Sequence, residues 1–224
     1  MQPARVKICG LRDAATIREM NGLPLNEIGF IFAKSRRQVS PALGAELIAE
    51  ARQLRGQDGN IPRTVGVFVN PTLEELEATL AVASLDVVQL HGEEPPVFCD
   101  TVRRKFGVNV WKVFSVTDND VADAGSAGPD RLEPFSGCVD AFLIDTAGGG
   151  TGKTFAWQVI DRYMAAAAAI GVPLYVAGGL DPDNVQELLS EYSPNGVDVS
   201  SGVETEGTKD ISKIKLFTER VRGV

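Results

Sequence analysis

Histidine occurs once in the 224 residues, at His91, and cysteine three times, at Cys9, Cys99 and Cys138. A lone histidine excludes paired-histidine zinc motifs and leaves any Ser-His or Cys-His dyad dependent on one ring, so chemistry without metal is expected. Three widely spaced cysteines with no CxxC pair do not read as a disulfide framework; they fit a reducing, cytoplasmic compartment. Positive charge is scarce as well, with 22 Lys and Arg against 30 Asp and Glu and a net charge of -8. That balance repels polyphosphate and argues against nucleic-acid or membrane-surface partners, so any anionic ligand needs a local positive site. No apolar run approaches the roughly 18 residues of a membrane span, and the first residues, through Lys7, hold no apolar signal core.

What is present is globular material: 44% hydrophobic and 23% charged residues, with 23 glycines and 12 prolines. This length suits one domain spanning residues 1–224, with enough apolar surface for a substantial core. Short β-rich runs recur at 5–9, 27–32, 64–69, 87–90, 110–113, 141–145, 174–177 and 197–200. Helical stretches follow most of them, announced by Ser40-Pro41, Asn70-Pro71-Thr72 and Asp181-Pro182. Eight such units predict a (β/α)8 barrel, an α/β fold of the TIM type, with the open doubly wound sheet as competitor. The fifth unit is weakest, because residues 115–136 are rich in Gly, Asp, Ala and Pro, so a short or displaced helix is expected there. The alanine run 165–169 reads as ordinary helix.

In a barrel the chemistry lies at the carboxyl ends of the strands. Cys9, Lys34 to Arg37, Gln89, His91 and Asp145 all fall there. An acid ending the apolar run Ala141 to Ile144 needs a partner, a wet rim or a function. Cys9 reads either as a small buried apolar residue or as a nucleophile or base. Arg36 and Arg37 read as solvated loop charges unless a ligand takes them, and His91 as a loop-ordering hydrogen-bond residue. Gly178-Gly179 after strand seven and Ser200-Ser201-Gly202 after strand eight are small enough for an anion to approach their backbone N–H groups. Lys7 lies two residues before Cys9, on the same strand face, where its charge would favour the thiolate. A further segment, 147–154, nearly spells a nucleotide-binding P-loop, although it sits in the sixth unit with Ala147 where Gly is usual. Asp198 is then the second acid available to hold Mg²⁺. A nucleotide hydrolase or kinase is therefore one rival class, and a barrel kept for binding without turnover is another.

Taken in order, these motifs resemble the phosphoribosylanthranilate isomerase family across nearly the whole chain. The resemblance is carried by residues 7–10, 29–32 with 34–41, 65–70, 88–94, 143–146, 149–155, 177–180 and 196–204. It implies a cofactor-free barrel isomerase of tryptophan biosynthesis that performs an Amadori rearrangement on a phosphorylated sugar-anthranilate. It further implies Cys9 as general base, Asp145 as general acid and Arg37 as the contact for the anthranilate carboxylate. Phosphate would lie on Gly178, Gly179, Asp198 and Ser200, largely through backbone groups, with Ser201 and Gly202 beside them and Gln89 as a further substrate contact. Segment 149–152 becomes an active-site loop under this reading. A monomer or weak homodimer is expected. Three departures from the family pattern are a shorter stretch after Asp145, Ala156 where Asp is common, and the turn 206–210.

Overall fold

The computed structural model describes residues 3–116, 128–146 and 157–223. Its strands are β1 (Arg5–Cys9), β2 (Glu27–Ile31), β3 (Arg63–Phe68), β4 (Val87–Leu90), β5 (Asn109–Val116), β6 (Ala141–Thr146), β7 (Leu174–Val176) and β8 (Gly196–Val199). Each runs parallel to its neighbours, and β8 pairs with β1 from Arg5–Gly196 to Ile8–Val199, which closes the ring. The closed (β/α)8 barrel is thereby distinguished from the open sheet.

Helices α1 (Ala14–Glu19), α2 (Pro41–Ala51), α3 (Leu73–Leu80), α4 (Pro96–Phe106), α5 (Ile160–Ala169), α6 (Val185–Glu191) and α7 (Ile211–Arg222) surround it. Local chemistry starts several of them where the sequence indicates. Ser40 accepts a hydrogen bond from the Leu43 N–H ahead of α2, and Thr72 with Glu75 forms a reciprocal capping box on α3. The start at Asp181-Pro182 is offset: the Asp181 carboxylate caps the turn by accepting from the N–H groups of Asp183 and Asn184, and α6 begins at Val185. After β5 the described chain forms a 3₁₀ segment, Pro129–Phe135, whose internal Pro134 lacks the amide an α-helix needs. The alanine run lies in α5.

Alternation along the strands creates two cores. Val6 and Ile8 on β1, Phe142 and Ile144 on β6, and Val197 and Val199 on β8 pack outward under the helices. Inside the ring, Val65, Val87, Trp111, Val113, Ala141, Leu143, Tyr175 and Ala177 form a separate apolar plug. Below the plug, the fully buried Glu27 accepts from Arg5 Nε at 2.9 Å, Arg63 Nη2 at 2.9 Å and the Tyr175 hydroxyl at 3.3 Å. Trp111 lies against Tyr175 with ring centroids 4.5 Å apart, and the Arg63 guanidinium covers the indole. The amino-terminal end of the barrel is thus closed by a charged floor beneath an apolar layer.

The opposite rim has its own brace. Lys112 on β5 donates to Glu94 Oε2 at 2.8 Å and to the Gly92 carbonyl, both side chains being almost wholly buried. Glu94 also accepts from the N–H groups of Asn70 and Gly92, so one carboxylate ties together the loops after β3 and β4. Lys112→Met is expected to lower stability by about 3–5 kcal/mol, since Glu94 would be left buried without its countercharge. Denaturant unfolding followed by circular dichroism measures this, and an unchanged midpoint would remove the brace from the account.

Candidate active site

A cavity of about 370 Å³ opens at the carboxyl ends of the strands, and its walls include Cys9, Arg37, Gln89, Asp145, Asp198 and Ser200. Lys34, Ser35, His91 and Ser115 complete its polar lining, with Ile31, Val67 and Val69 among the apolar side chains. Six of the ten site residues expected from the sequence therefore meet in one place. Gly178, Gly179, Ser201 and Gly202 stand in the adjoining loops without lining this cavity. Segment 147–156, which holds both the P-loop-like motif and the expected active-site loop, lies outside the described residues.

Strand register explains the grouping. Cys9 ends β1 opposite Gly29 of β2, and a Cβ at Gly29 would stand 2.8 Å from the cysteine sulfur and 3.2 Å from Lys7 Nζ. Only a residue without a side chain leaves room for both groups inside the ring. Lys7 is paired in register with Asp198 of β8, and its ammonium lies 3.0 Å from Asp198 Oδ2 with no exposure to solvent. The Asp198 carboxylate therefore faces the barrel interior, while its backbone lies within the β8 ladder against β1.

Burial and charge set the proton affinities here. Burial pushes the Cys9 thiol up, Lys7 opposes it, Asp198 adds to it and Lys209 opposes it, with a net upward shift. The expected help from Lys7 is present but does not overcome desolvation. For Lys7 itself, burial acts to lower the pKa, but Asp198 and Cys9 outweigh it and the ammonium is held above its ordinary range. Asp145 is pushed up to about 7, first by burial and then by the negative charge of Asp198. A carboxyl in that condition holds its proton near neutrality. His91 Nε2 stands 3.6 Å from Asp145 Oδ2, and burial together with Lys7 and Lys112 lowers its pKa to about 4, so the ring is neutral. The loop-ordering expected of His91 falls instead to Glu94, and the imidazole faces the cavity.

The loops after β7 and β8 are packed against the rim of this cavity. Gly178 has φ +89, and a Cβ there would lie 2.2 Å from Thr146 Oγ1 and 3.0 Å from Asp145 Oδ1. The chain needs glycine at this point both for its left-handed backbone and for its approach to β6. Asn184 donates to the Gly179 carbonyl and holds the turn, while Gly202 sits directly against the Leu180 carbonyl and so joins the two loops. Ser200 Oγ donates to the Cys9 carbonyl at 3.1 Å. Arg37 is buried and gives Nε and Nη2 to Glu204 at 2.6 and 3.0 Å. Glu94 and Glu204 fall in runs that carry the family resemblance, but nothing in the sequence pairs them with Lys112, Arg37 and Lys209. Among the described residues, no cluster of His, Cys, Asp and Glu could hold a metal ion, and no helix is long and apolar enough to cross a membrane.

The raised affinity of Asp145 has a consequence for stability. The folded chain keeps this proton after the unfolded chain has released it, so the wild-type protein loses stability as pH rises from about 4 to about 7. Asp145→Asn does not titrate, and its stability relative to wild type is expected to improve across that window by on the order of 3 kcal/mol. Urea unfolding at pH 5 and pH 8 tests this; a gap that stays constant with pH would contradict the buried acid.

Comparison with known proteins gives a consistent picture. A family model described as N-(5'-phosphoribosyl)anthranilate (PRA) isomerase matches residues 6–220. A Brevibacillus brevis protein named N-(5'-phosphoribosyl)anthranilate isomerase is 44% identical over 222 residues, covering 97% of this chain and 93% of that protein. The crystal structure of phosphoribosyl anthranilate isomerase from Thermotoga maritima is similar with a TM-score of 0.78 and 30% identity, covering 99% of this chain and 100% of that one. A phosphoribosyl anthranilate isomerase in complex with reduced 1-(o-carboxyphenylamino)-1-deoxyribulose 5-phosphate is similar with a TM-score of 0.75 and 29% identity, at coverages of 99% and 100%.

Proposed function

The chain belongs to the N-(5'-phosphoribosyl)anthranilate isomerase family, and from that premise we propose that it isomerises N-(5'-phosphoribosyl)anthranilate to 1-(2-carboxyphenylamino)-1-deoxyribulose 5-phosphate in tryptophan biosynthesis by general acid–base catalysis. The observation that carries the mechanism is the sharing of one cavity by Cys9 and Asp145, which arrive on β1 and β6.

Asp145 is the acid. Its proton passes to the ring oxygen as the anthranilate nitrogen lone pair forms the C1'–N double bond and the C1'–O bond breaks. The iminium acidifies C2', and the Cys9 thiolate takes that hydrogen, its bonding pair becoming the C1'–C2' double bond. Closure follows when C1' takes a proton from the Cys9 thiol and the C2' hydroxyl returns one to Asp145. The proton count is then restored and the ketone is formed. Asp198 Oδ1 and Gln89 Oε1 are buried without a hydrogen-bond partner among the described residues, so both are acceptors for the sugar hydroxyls. Neutral His91 beside Asp145 leaves the acid protonated, where an imidazolium would draw its proton away.

Phosphate is assigned to the backbone of Gly178, Gly179 and Ser200 to Gly202, with the anthranilate toward Arg37. The guanidinium edge not engaged by Glu204 is available to its carboxylate. The ligand is a small phosphorylated molecule, and the positive groups about Glu204 supply what a chain of net charge -8 lacks elsewhere.

Cys9→Ala and Asp145→Asn are each expected to lower kcat by about 10²- to 10⁴-fold, measured by the decay of substrate fluorescence after the substrate is formed in situ. Full activity in either variant would remove that residue from the reaction. Because burial raises both groups, the reactive form pairs a thiolate with a protonated acid and is a minor species. Lys7→Met is expected to move the Cys9 thiol titration upward, and an unchanged titration would dissociate Lys7 from the base. Arg37→Ala should raise KM more than it lowers kcat.

A further inference from the structure

We propose that Lys209 is a positioning residue for the substrate phosphate, supplying buried positive charge behind the loop after β8 and fixing Ser200, which ties that loop to Cys9. The proposal rests on the placement of phosphate given above.

After β8 the chain turns through Ser201–Val203 and enters a hairpin of β9 (Glu204–Thr205) and β10 (Thr208–Lys209), whose tip has positive φ at Glu206 and Gly207. The hairpin returns Lys209 to the rim, where its side chain is almost fully buried. Its ammonium donates to the Ser200 carbonyl at 2.7 Å and to Glu204 Oε1 at 2.9 Å, and reaches Ser200 Oγ at 3.3 Å. These bonds occupy the ammonium, so it acts on a ligand through the loop it holds. Ser200 Oγ in turn donates to the carbonyl of Cys9. One residue of the phosphate loop is therefore joined to Lys209 on one side and to the strand end bearing the base on the other.

Charge points the same way. Arg37 and Lys209 are both buried, and both are paired with the single buried carboxylate of Glu204, which also takes the more exposed Arg36. The buried part of this cluster holds one more positive than negative charge. Desolvating such an excess is unfavourable unless an anion completes it, and the adjoining loop is where a dianion would sit. Burial lowers the affinity of Lys209 for its proton, and Glu204 acts against that fall. A bound phosphate would act in the same sense as Glu204.

The test compares wild type with Lys209→Met, Lys209→Gln and Lys209→Arg, each checked for folding by circular dichroism, using steady-state kinetics and inorganic phosphate as competitive inhibitor. Lys209→Met and Lys209→Gln are expected to raise both KM and the inhibition constant for phosphate by about tenfold or more, with a smaller loss in kcat, and Lys209→Arg to recover most of the difference. Unchanged KM and inhibition constant in the glutamine variant, which keeps a donor but not the charge, would overturn the proposal. So would a loss confined to kcat that arginine does not rescue. If phosphate fails to compete in the wild-type enzyme, the placement of phosphate on this loop fails first and the proposal falls with it. Competition in wild type with no change in the variants refutes the part assigned to Lys209 alone.

Discussion

The closure of β8 onto β1 places Lys7 against Asp198, and the charge balance of the active site depends on that buried pair. Slipping β8 by one residue against β1 would turn Asp198 toward the helices and leave Lys7 inside the ring without its countercharge. With the register as found, the ammonium lies between a thiol and a carboxylate, and the carboxylate lies near enough to Asp145 to hold its proton in place. One backbone pairing thus sets the electrostatic surroundings of both proposed proton-transfer groups.

The two ends of the barrel solve opposite problems with similar residues. At the floor, Arg5, Arg63 and Tyr175 converge on one oxygen of the Glu27 carboxylate, beneath the apolar plug. At the mouth, cations gather about Glu204 and Glu94, and the groups left over face an open cavity. Stability and chemistry are separated along the barrel axis, as the fold permits.

Much of this was legible from the residues alone. Short β-rich runs located β1 and β4 to the residue, and Ser40 and Thr72 announced their helices because capping is decided within four positions. Cys9, Arg37, Gln89, His91, Asp145 and Ser200 could be assigned to one rim because barrel geometry puts strand ends together, whereas Asp198 came with the family resemblance. Their chemical parts came from the family resemblance, since a cysteine or an aspartate at a strand end does not reveal its task. The partners of Arg37 and Lys112 were not legible. Glu204 lies 167 residues from Arg37, and Glu94 meets Lys112 only because two loops fold over the same strand end. The composition after β5 pointed to a short or displaced helix, and the described part of that unit, Pro129–Phe135, is a 3₁₀ segment with Pro134 inside it.

The sealed floor also bears on how hydrogen travels. With Glu27 and its arginines at one end and the tilted Trp111 and Tyr175 rings above them, the cysteine sulfur is approached, among the described residues, through the cavity in which the ligand is proposed to sit. A seated sugar is then its own stopper. In the proposed reaction, hydrogen lifted from one carbon would stay beside the next for as long as the ligand remains, and internal return would outrun exchange with bulk water.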